Sequence, residues 1–136
     1  MIYEDDVVNA VCSTLQADGW RIVSRAMAHE RGDDIVALRA GQRLIVEAKG
    51  EGSSKAGTNR YGQSFNRGQV NTHVGVAVLR ALTVASAGTA SSAMALPDNA
   101  SHRDIAGAAL PALQRAGVGV FWVATDSSVA ADLPWS

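Results

Sequence analysis

The chain has 136 residues, and its 12 Lys and Arg residues against 13 Asp and Glu residues give a formal net charge of −1. With 47% hydrophobic and 18% charged residues, the composition excludes an intrinsically disordered protein, and the length predicts one domain over residues 1–136. The lone cysteine, Cys12, favours a reducing compartment. The acidic start is unlike a signal peptide and no apolar run reaches the ~18 residues of a membrane span, so we expect a cytoplasmic protein without a membrane segment.

Basic charge is concentrated in the middle of the chain. Residues 20–80 hold ten Arg and Lys residues against five acidic ones, whereas the segments on either side are both net acidic. This asymmetry favours a surface that binds a polyanion. The alternative is ordinary solvated charge, because the sequence alone does not place these basic residues on one face.

Residues 3–18 predict a first helix. Val8, Val11 and Leu15 form an apolar stripe at helical spacing, and Gly19 ends the pattern. Glu4 continues the same stripe, which places a carboxylate on the inward-facing side. Residues 20–28 then predict a first strand.

Two short apolar runs, 35–38 and 44–46, predict the strands of a β-hairpin. If Ala40 and Gly41 form a two-residue loop, Arg39 faces Gln42 and each step outward adds another facing pair.

Counting outward along this hairpin, Asp34 lies opposite Glu47, and Lys49 projects from the same face two residues later. Facing residues on one side of a sheet have Cβ atoms about 4.5–5.5 Å apart. Two carboxylates this close repel each other unless a cation lies between them. The spacing therefore predicts a metal site with an ammonium group beside it. The alternative is a surface ion pair, which the apolar residues Leu44, Ile45, Val46 and Ala48 disfavour because they indicate a buried strand.

The pattern Gly32-x-Asp34-Ile35, hairpin, Glu47-x-Lys49-Gly50 resembles the PD-(D/E)xK nuclease superfamily, in its restriction-endonuclease-like branch. Asp33 stands where the name of the superfamily has Pro. The resemblance covers nearly the whole chain.

This resemblance implies a metal-dependent DNA endonuclease, in which Asp34, Glu47 and the Ala48 carbonyl hold Mg²⁺ or Mn²⁺. It implies that Lys49 orients or deprotonates the attacking water, and that Glu4 of the first helix lies near the metal. For Glu4, a first-turn acid that serves the helix dipole is an equally open interpretation.

Residues 50–64 are rich in Gly, Ser and Asn, which is typical of a functional or disordered loop. We expect this loop to be poorly ordered without nucleic acid and to line a DNA groove through Lys55, Arg60 and Tyr61, with Arg67 of the next helix as a further DNA contact. A plain flexible linker is the alternative. The resemblance also implies that Gln69 contacts the metal and substrate region, although the pattern Asn66-x-x-Gln69 equally predicts a capping box.

The remainder of the chain predicts a helix over 67–82, a strand over 93–96, a helix capped by Ser101-x-x-Asp104, and a strand over 118–124. Pro111 is expected to kink or split the third helix. The fold class is therefore α/β: a mixed central sheet, made of a three-strand antiparallel meander plus crossover strands, flanked by helices in the order αβββαβαβ.

Two rival functions remain open at the level of sequence. One is a DNA-binding module of the same fold without chemistry, and the other is a protein-interaction domain in which the charged residues form an ion pair. The chain shows no second domain for target recognition. We therefore expect a structure-selective, nonspecific or partner-directed nuclease, with a homodimer or a protein partner as the possible source of targeting.

Overall fold

The computed structural model describes residues 1–26, 32–52 and 64–135. The helices in these ranges are α1 (Glu4–Ala17), α2 (Arg67–Ala87) and α3 (Ala100–Arg115). The strands are β1 (Arg21–Arg25), β2 (Ile35–Arg39), β3 (Gln42–Ala48), β4 (Ser91–Pro97), β5 (Val118–Val123) and β6 (Val129–Asp132).

The strands form one mixed sheet in the spatial order β1-β2-β3-β4-β5-β6. The first three strands are an antiparallel meander. β3 pairs with β4, and β4 with β5, in parallel, because α2 and α3 carry the chain back across the sheet between them. β6 is antiparallel to β5. This is the predicted α/β fold class, with one additional strand at the edge.

The two faces of the sheet are covered by different helices. One apolar cluster joins the inward side of α1 to alternate residues of β2, β3, β4 and β5, and it contains the predicted residues Val8, Val11 and Leu15. A second cluster joins α2 and α3 to the opposite face. Side chains of β3 at odd numbers from Ile45 onward belong to the face of α2, since successive strand residues point to opposite sides.

The β2–β3 hairpin has the predicted register, with Arg39 facing Gln42 and Ile35 facing Val46. Its two loop residues both have positive φ, 50° at Ala40 and 78° at Gly41, as a type I′ turn requires. A tight loop of this kind allows one pairing only, so the alignment of Asp34 with Glu47 follows from it.

Two local predictions were wrong, and one strand was not predicted. α2 continues to Ala87 instead of ending near residue 82, and Gly88 ends it in the left-handed conformation. The N-cap of α3 is Asn99, whose Oδ1 accepts from His102 N at 3.0 Å, and Ser101 is already inside the helix. Residues 129–132, for which no element was expected, form β6.

Pro111 does not split α3, which runs unbroken from Ala100 to Arg115. Proline removes the donor that would bond the carbonyl four residues earlier, here that of Gly107. Pro111 is exposed, and a carbonyl on the outer side of a helix can bond to water instead.

By length and mean hydropathy (1.2), α2 could cross a membrane, although core helices meet the same criterion. The helix packs Val70, Val74 and Ala77 into the second core cluster. Only 22% of the most apolar 18-residue stretch of this helix is buried, so much of the apolar surface of α2 lies on its outer face.

Candidate active site

Asp34 and Glu47 lie side by side at the open end of the β2–β3 hairpin. Each residue is only 8% exposed, although the charged form of a carboxyl strongly prefers water. Asp34 Oδ2 accepts a hydrogen bond from Ala48 N at 2.8 Å, which ties the residue before β2 to the end of β3. The predicted convergence of the two carboxyl groups is therefore present.

The pKa values of both carboxyl groups are raised above their ordinary values. Burial raises the pKa of Asp34, opposed by the Ala48 N–H and by the charge of Lys49. Burial, followed by the negative charge of Asp34, raises the pKa of Glu47. Each shift disfavours the charged form of its carboxyl group, and a cation bound between the two groups would oppose both shifts.

Two cations contact the same oxygen of Glu47. Lys49 Nζ lies 3.7 Å from Glu47 Oε1, and the backbone of Lys49 is held by a bond of 3.0 Å from its N–H to Ala95 O. Arg80 Nη1 of α2 donates to the same Oε1 at 3.1 Å, while its side chain stays 61% exposed. Lys49 was predicted at this site, and Arg80 was missed. The available signal was that Arg80 is the sole Asp, Glu, Lys or Arg residue between 68 and 97.

Glu4 reaches the site from the first turn of α1. Burial raises its pKa to about 7, and the charges of Asp34 and Glu47 act in the same direction while that of Lys49 acts against it. The approach depends on Gly50, because a Cβ there would clash with the backbone of Tyr3 and Glu4. Glycine after Lys49 thus lets the start of α1 pack against the end of β3. Of the two interpretations of Glu4, the electrostatic coupling favours proximity to the carboxylate pair.

The donor set fits a hard divalent cation such as Mg²⁺ or Mn²⁺. In the described ranges no three His, Cys, Asp or Glu side chains converge closely enough to hold a metal ion, so the two carboxylates would need a backbone oxygen to complete the set. Ala48 can supply it, because N–H and C=O of one strand residue point to the same side and its N–H points to Asp34. Oxygen ligands of this kind suit Mg²⁺ and Mn²⁺.

The remaining predicted residues have separate locations. Gln69 Oε1 accepts from Asn66 N, and Gln69 N donates to Asn66 Oδ1, both at 2.9 Å, so the capping box is real and a substrate contact of Gln69 stays a prediction. Arg67 is exposed at the start of α2, with Nη1 3.5 Å from Asp104. Lys55, Arg60 and Tyr61, and most of the 50–64 loop, lie outside the described residues.

His73, on the inner side of α2, was given no role from the sequence. Burial lowers its pKa, and the positive charge of Lys49 lowers it further. Its ring stacks on Phe65 with the centroids 4.4 Å apart. This stacking contact joins α2 to the segment that precedes it.

A further carboxylate, Glu51, lies four residues beyond Glu47 and has a side chain that is 15% exposed, but it is bonded differently. Its Oε1 accepts from Ile2 N at 2.6 Å, and its Oε2 accepts from Asn99 Nδ2 at 2.9 Å. Asn99 in turn caps α3 and accepts from His102 Nδ1 at 2.8 Å. Glu51 therefore links the N-terminal segment, the end of β3 and the start of α3.

No protein-family profile and no curated protein sequence matches this chain. Its structure is similar to that of an XisH family protein from Nostoc punctiforme, with a TM-score of 0.56 and 14% identity over 93% of this chain and 97% of that one. It is also similar to an fdxN element excision controlling factor protein from Anabaena variabilis, with a TM-score of 0.50 and 16% identity over 93% and 96%. These likenesses establish a shared fold over nearly the full length of each chain.

Proposed function

We propose that this protein is a restriction-endonuclease-like, metal-dependent nuclease that hydrolyses phosphodiester bonds in DNA. The observation that carries the proposal is the buried Asp34–Glu47 pair, with Lys49 and Arg80 beside it. Burial of two like charges lowers the stability of the fold. A bound cation would offset this loss, which explains why such a pair is retained. Carboxyl groups whose pKa values are perturbed by burial and by a neighbouring charge are typical of functional sites.

Each residue then has a distinct task. Asp34, Glu47 and the Ala48 carbonyl would hold Mg²⁺ or Mn²⁺, with Glu4 close by. The ion, when bound, supplies a Lewis acid for the phosphate and lowers the pKa of water. Lys49 is placed to orient or deprotonate the attacking water and to stabilise charge on the phosphate. Arg80 can leave Glu47 for a phosphate, because most of its side chain is exposed.

The fold likeness supports the proposal without extending it. One of the two similar structures is named an fdxN element excision controlling factor protein, and that name is consistent with a nuclease. At 14% and 16% identity, function is argued from the site residues and not from the shared fold.

A DNA-binding module without chemistry is the second candidate. The observation that favours it is the bond of Arg80 to Glu47, because an arginine on a ligand oxygen is how a silent site would neutralise that carboxylate. The two candidates differ in whether the divalent ion displaces Arg80.

One experiment separates these functions. The protein is titrated with Mn²⁺ by calorimetry and incubated with supercoiled, single-stranded and branched DNA, with and without Mg²⁺ or Mn²⁺. The nuclease binds Mn²⁺ and cleaves only when the ion is present. Binding of DNA without metal binding or cleavage identifies the silent module. Absence of all three activities leaves a protein-interaction domain with a structural ion pair.

A further inference from the structure

A cavity of about 370 Å³ adjoins the candidate active site and has no task in the chemistry above. It lies between α2 and residues of β3 and β4, with Gly32 and Asp33 at one side, and Glu47 and Arg80 form part of its wall. Its other walls are mainly apolar and include Ile45, Leu79 and Val84.

The cavity exists because small side chains form its floor. Ala81, Ser92 and Ala93 stand where larger residues would fill the space between helix and sheet. Ser92 Oγ donates to Ala81 O at 2.7 Å, so its hydroxyl proton is already used and its oxygen can still accept. At the rim, Leu79 is 68% exposed. Its side chain extends the apolar lining to the mouth of the cavity.

The cavity has apolar walls and a positive charge beside them. A site for a nucleotide needs both, the walls for the base and the charge for the phosphate. The flat faces of a base prefer apolar contacts, while its edges need a few hydrogen-bonding groups. Thr83, Ser92 and Asp33 supply such groups along the lining. The guanidinium of Arg80 lies at the boundary between this cavity and Glu47, where the phosphate of the same nucleotide would be. The volume is within the roughly 300–1,000 Å³ range of small-molecule pockets.

We propose that this cavity binds an unpaired nucleobase of the DNA substrate, next to the phosphate that is cleaved; this inference rests on the proposed function. A base within a continuous duplex cannot enter the cavity until it is unpaired and unstacked. Single strands, flaps and branch points present such a base without that cost. The site therefore selects DNA that contains an unpaired nucleotide over intact duplex.

The test measures DNA binding in Ca²⁺, so that selectivity is read independently of cleavage. Short single-stranded and duplex oligonucleotides of one sequence are titrated against wild type, Thr83→Trp and Leu79→Asp. Val76→Trp is the matched control, because Val76 is 39% exposed on the same helix and does not line the cavity. We expect wild type and the control to prefer the single strand by roughly tenfold or more, and both cavity variants to lose that preference.

A fluorescent base analogue, 2-aminopurine, gives a second readout at successive positions of the single strand. Its emission should rise at one position in wild type and Val76→Trp, and that rise should be absent in Thr83→Trp. Unchanged selectivity in both cavity variants overturns the base-binding cavity and leaves the nuclease assignment intact. If wild type binds no DNA at all, the proposal and the proposed function are overturned together. If the cavity variants alter only self-association, measured by sedimentation, the cavity is a contact between copies of this chain and the proposal is wrong.

Discussion

Two carboxylates near the end of β3, Glu47 and Glu51, are both mostly shielded from solvent, but they have different partners. Glu51 is held by donors fixed in the fold, the backbone N–H of Ile2 and the amide of Asn99, and the N-terminal ammonium of Met1 lies 3.6 Å from its Oε1. Glu47 faces the carboxyl of Asp34 and is contacted by the charged ends of the Lys49 and Arg80 side chains. The first arrangement is complete within the protein, whereas the second retains repulsion that an added cation would remove.

This difference distinguishes a structural acid from a functional one. Donors fixed in the backbone and in a helix cap cannot leave Glu51 without disturbing three segments of the fold. Of the two cations on Glu47, Arg80 has a side chain that is 61% exposed, and under the proposed function it would turn to a substrate phosphate. Substitution of Glu47 should therefore impair the chemistry, whereas substitution of Glu51 should lower the stability.

The largest effect is expected for the ligand pair. Asp34→Asn and Glu47→Gln each remove one negative ligand at constant shape, so calorimetric Mn²⁺ binding should disappear and DNA nicking should fall by more than roughly 10³-fold. Asp18→Asn is the control, since Asp18 lies in a surface pair with Arg39. Full nicking by either site variant would show that the pair is not the metal site.

Lys49→Ala should have the next largest effect. Nicking should fall by roughly 10²–10⁴-fold, as for a lost general acid–base group. Mn²⁺ binding should stay intact or become slightly tighter, because a positive charge beside the ligands is removed. Calorimetry beside the nicking assay measures both. A parallel loss of binding and nicking would indicate that Lys49 only supports the fold of the site.

Arg80→Gln should have a smaller effect, about a tenfold loss of nicking, since one exposed contact to a phosphate is removed. Release of Glu47 from its guanidinium partner should at the same time tighten Mn²⁺ binding a few-fold. If Arg80→Gln instead increases nicking, Arg80 acts as an inhibitor of the site.

Glu51→Gln should change stability and leave chemistry alone. Glutamine has one acceptor oxygen where Glu51 has two, so its NH2 group would face either the Ile2 N–H or the Asn99 amide, donor against donor, at a cost of about 1–3 kcal/mol in the free energy of unfolding. Urea denaturation measures this cost, and Mn²⁺ binding by the folded variant should equal that of wild type. Weakened Mn²⁺ binding without loss of stability would reverse the roles assigned to the two acids.

The smallest effect concerns pH. The pKa of Glu4 is about 7 in the folded protein against 4.5 for an unperturbed group, so between these values the folded state binds more protons than the unfolded state. The metal-free protein should therefore lose stability as pH rises from about 4.5 to about 7, by about 1–2 kcal/mol once partial exposure is allowed for. Glu4→Gln should reduce this slope in urea titrations, because the raised pKa values of Asp34 and Glu47 contribute in the same direction; an unchanged slope would assign it to Asp34 and Glu47 alone.

Much of the site could be predicted because it depends on local sequence. A two-residue loop at Ala40 and Gly41 permits one register, and alternation along each strand then places Asp34, Glu47 and Lys49 on one face. The buried side of α1 could be predicted in the same way, since helical spacing alone determines which residues share one side.

The tertiary structure decided what depends on contacts between distant segments. Arg80 meets Glu47 across 33 residues, and Asn99 meets Glu51 across 48; no local pattern encodes either pair. The same holds for Asn99 as the N-cap of α3, which Glu51 orients, and for the cavity beside Glu47. Local periodicity sets which face each residue takes, but the partner it meets there depends on how helices and sheet pack.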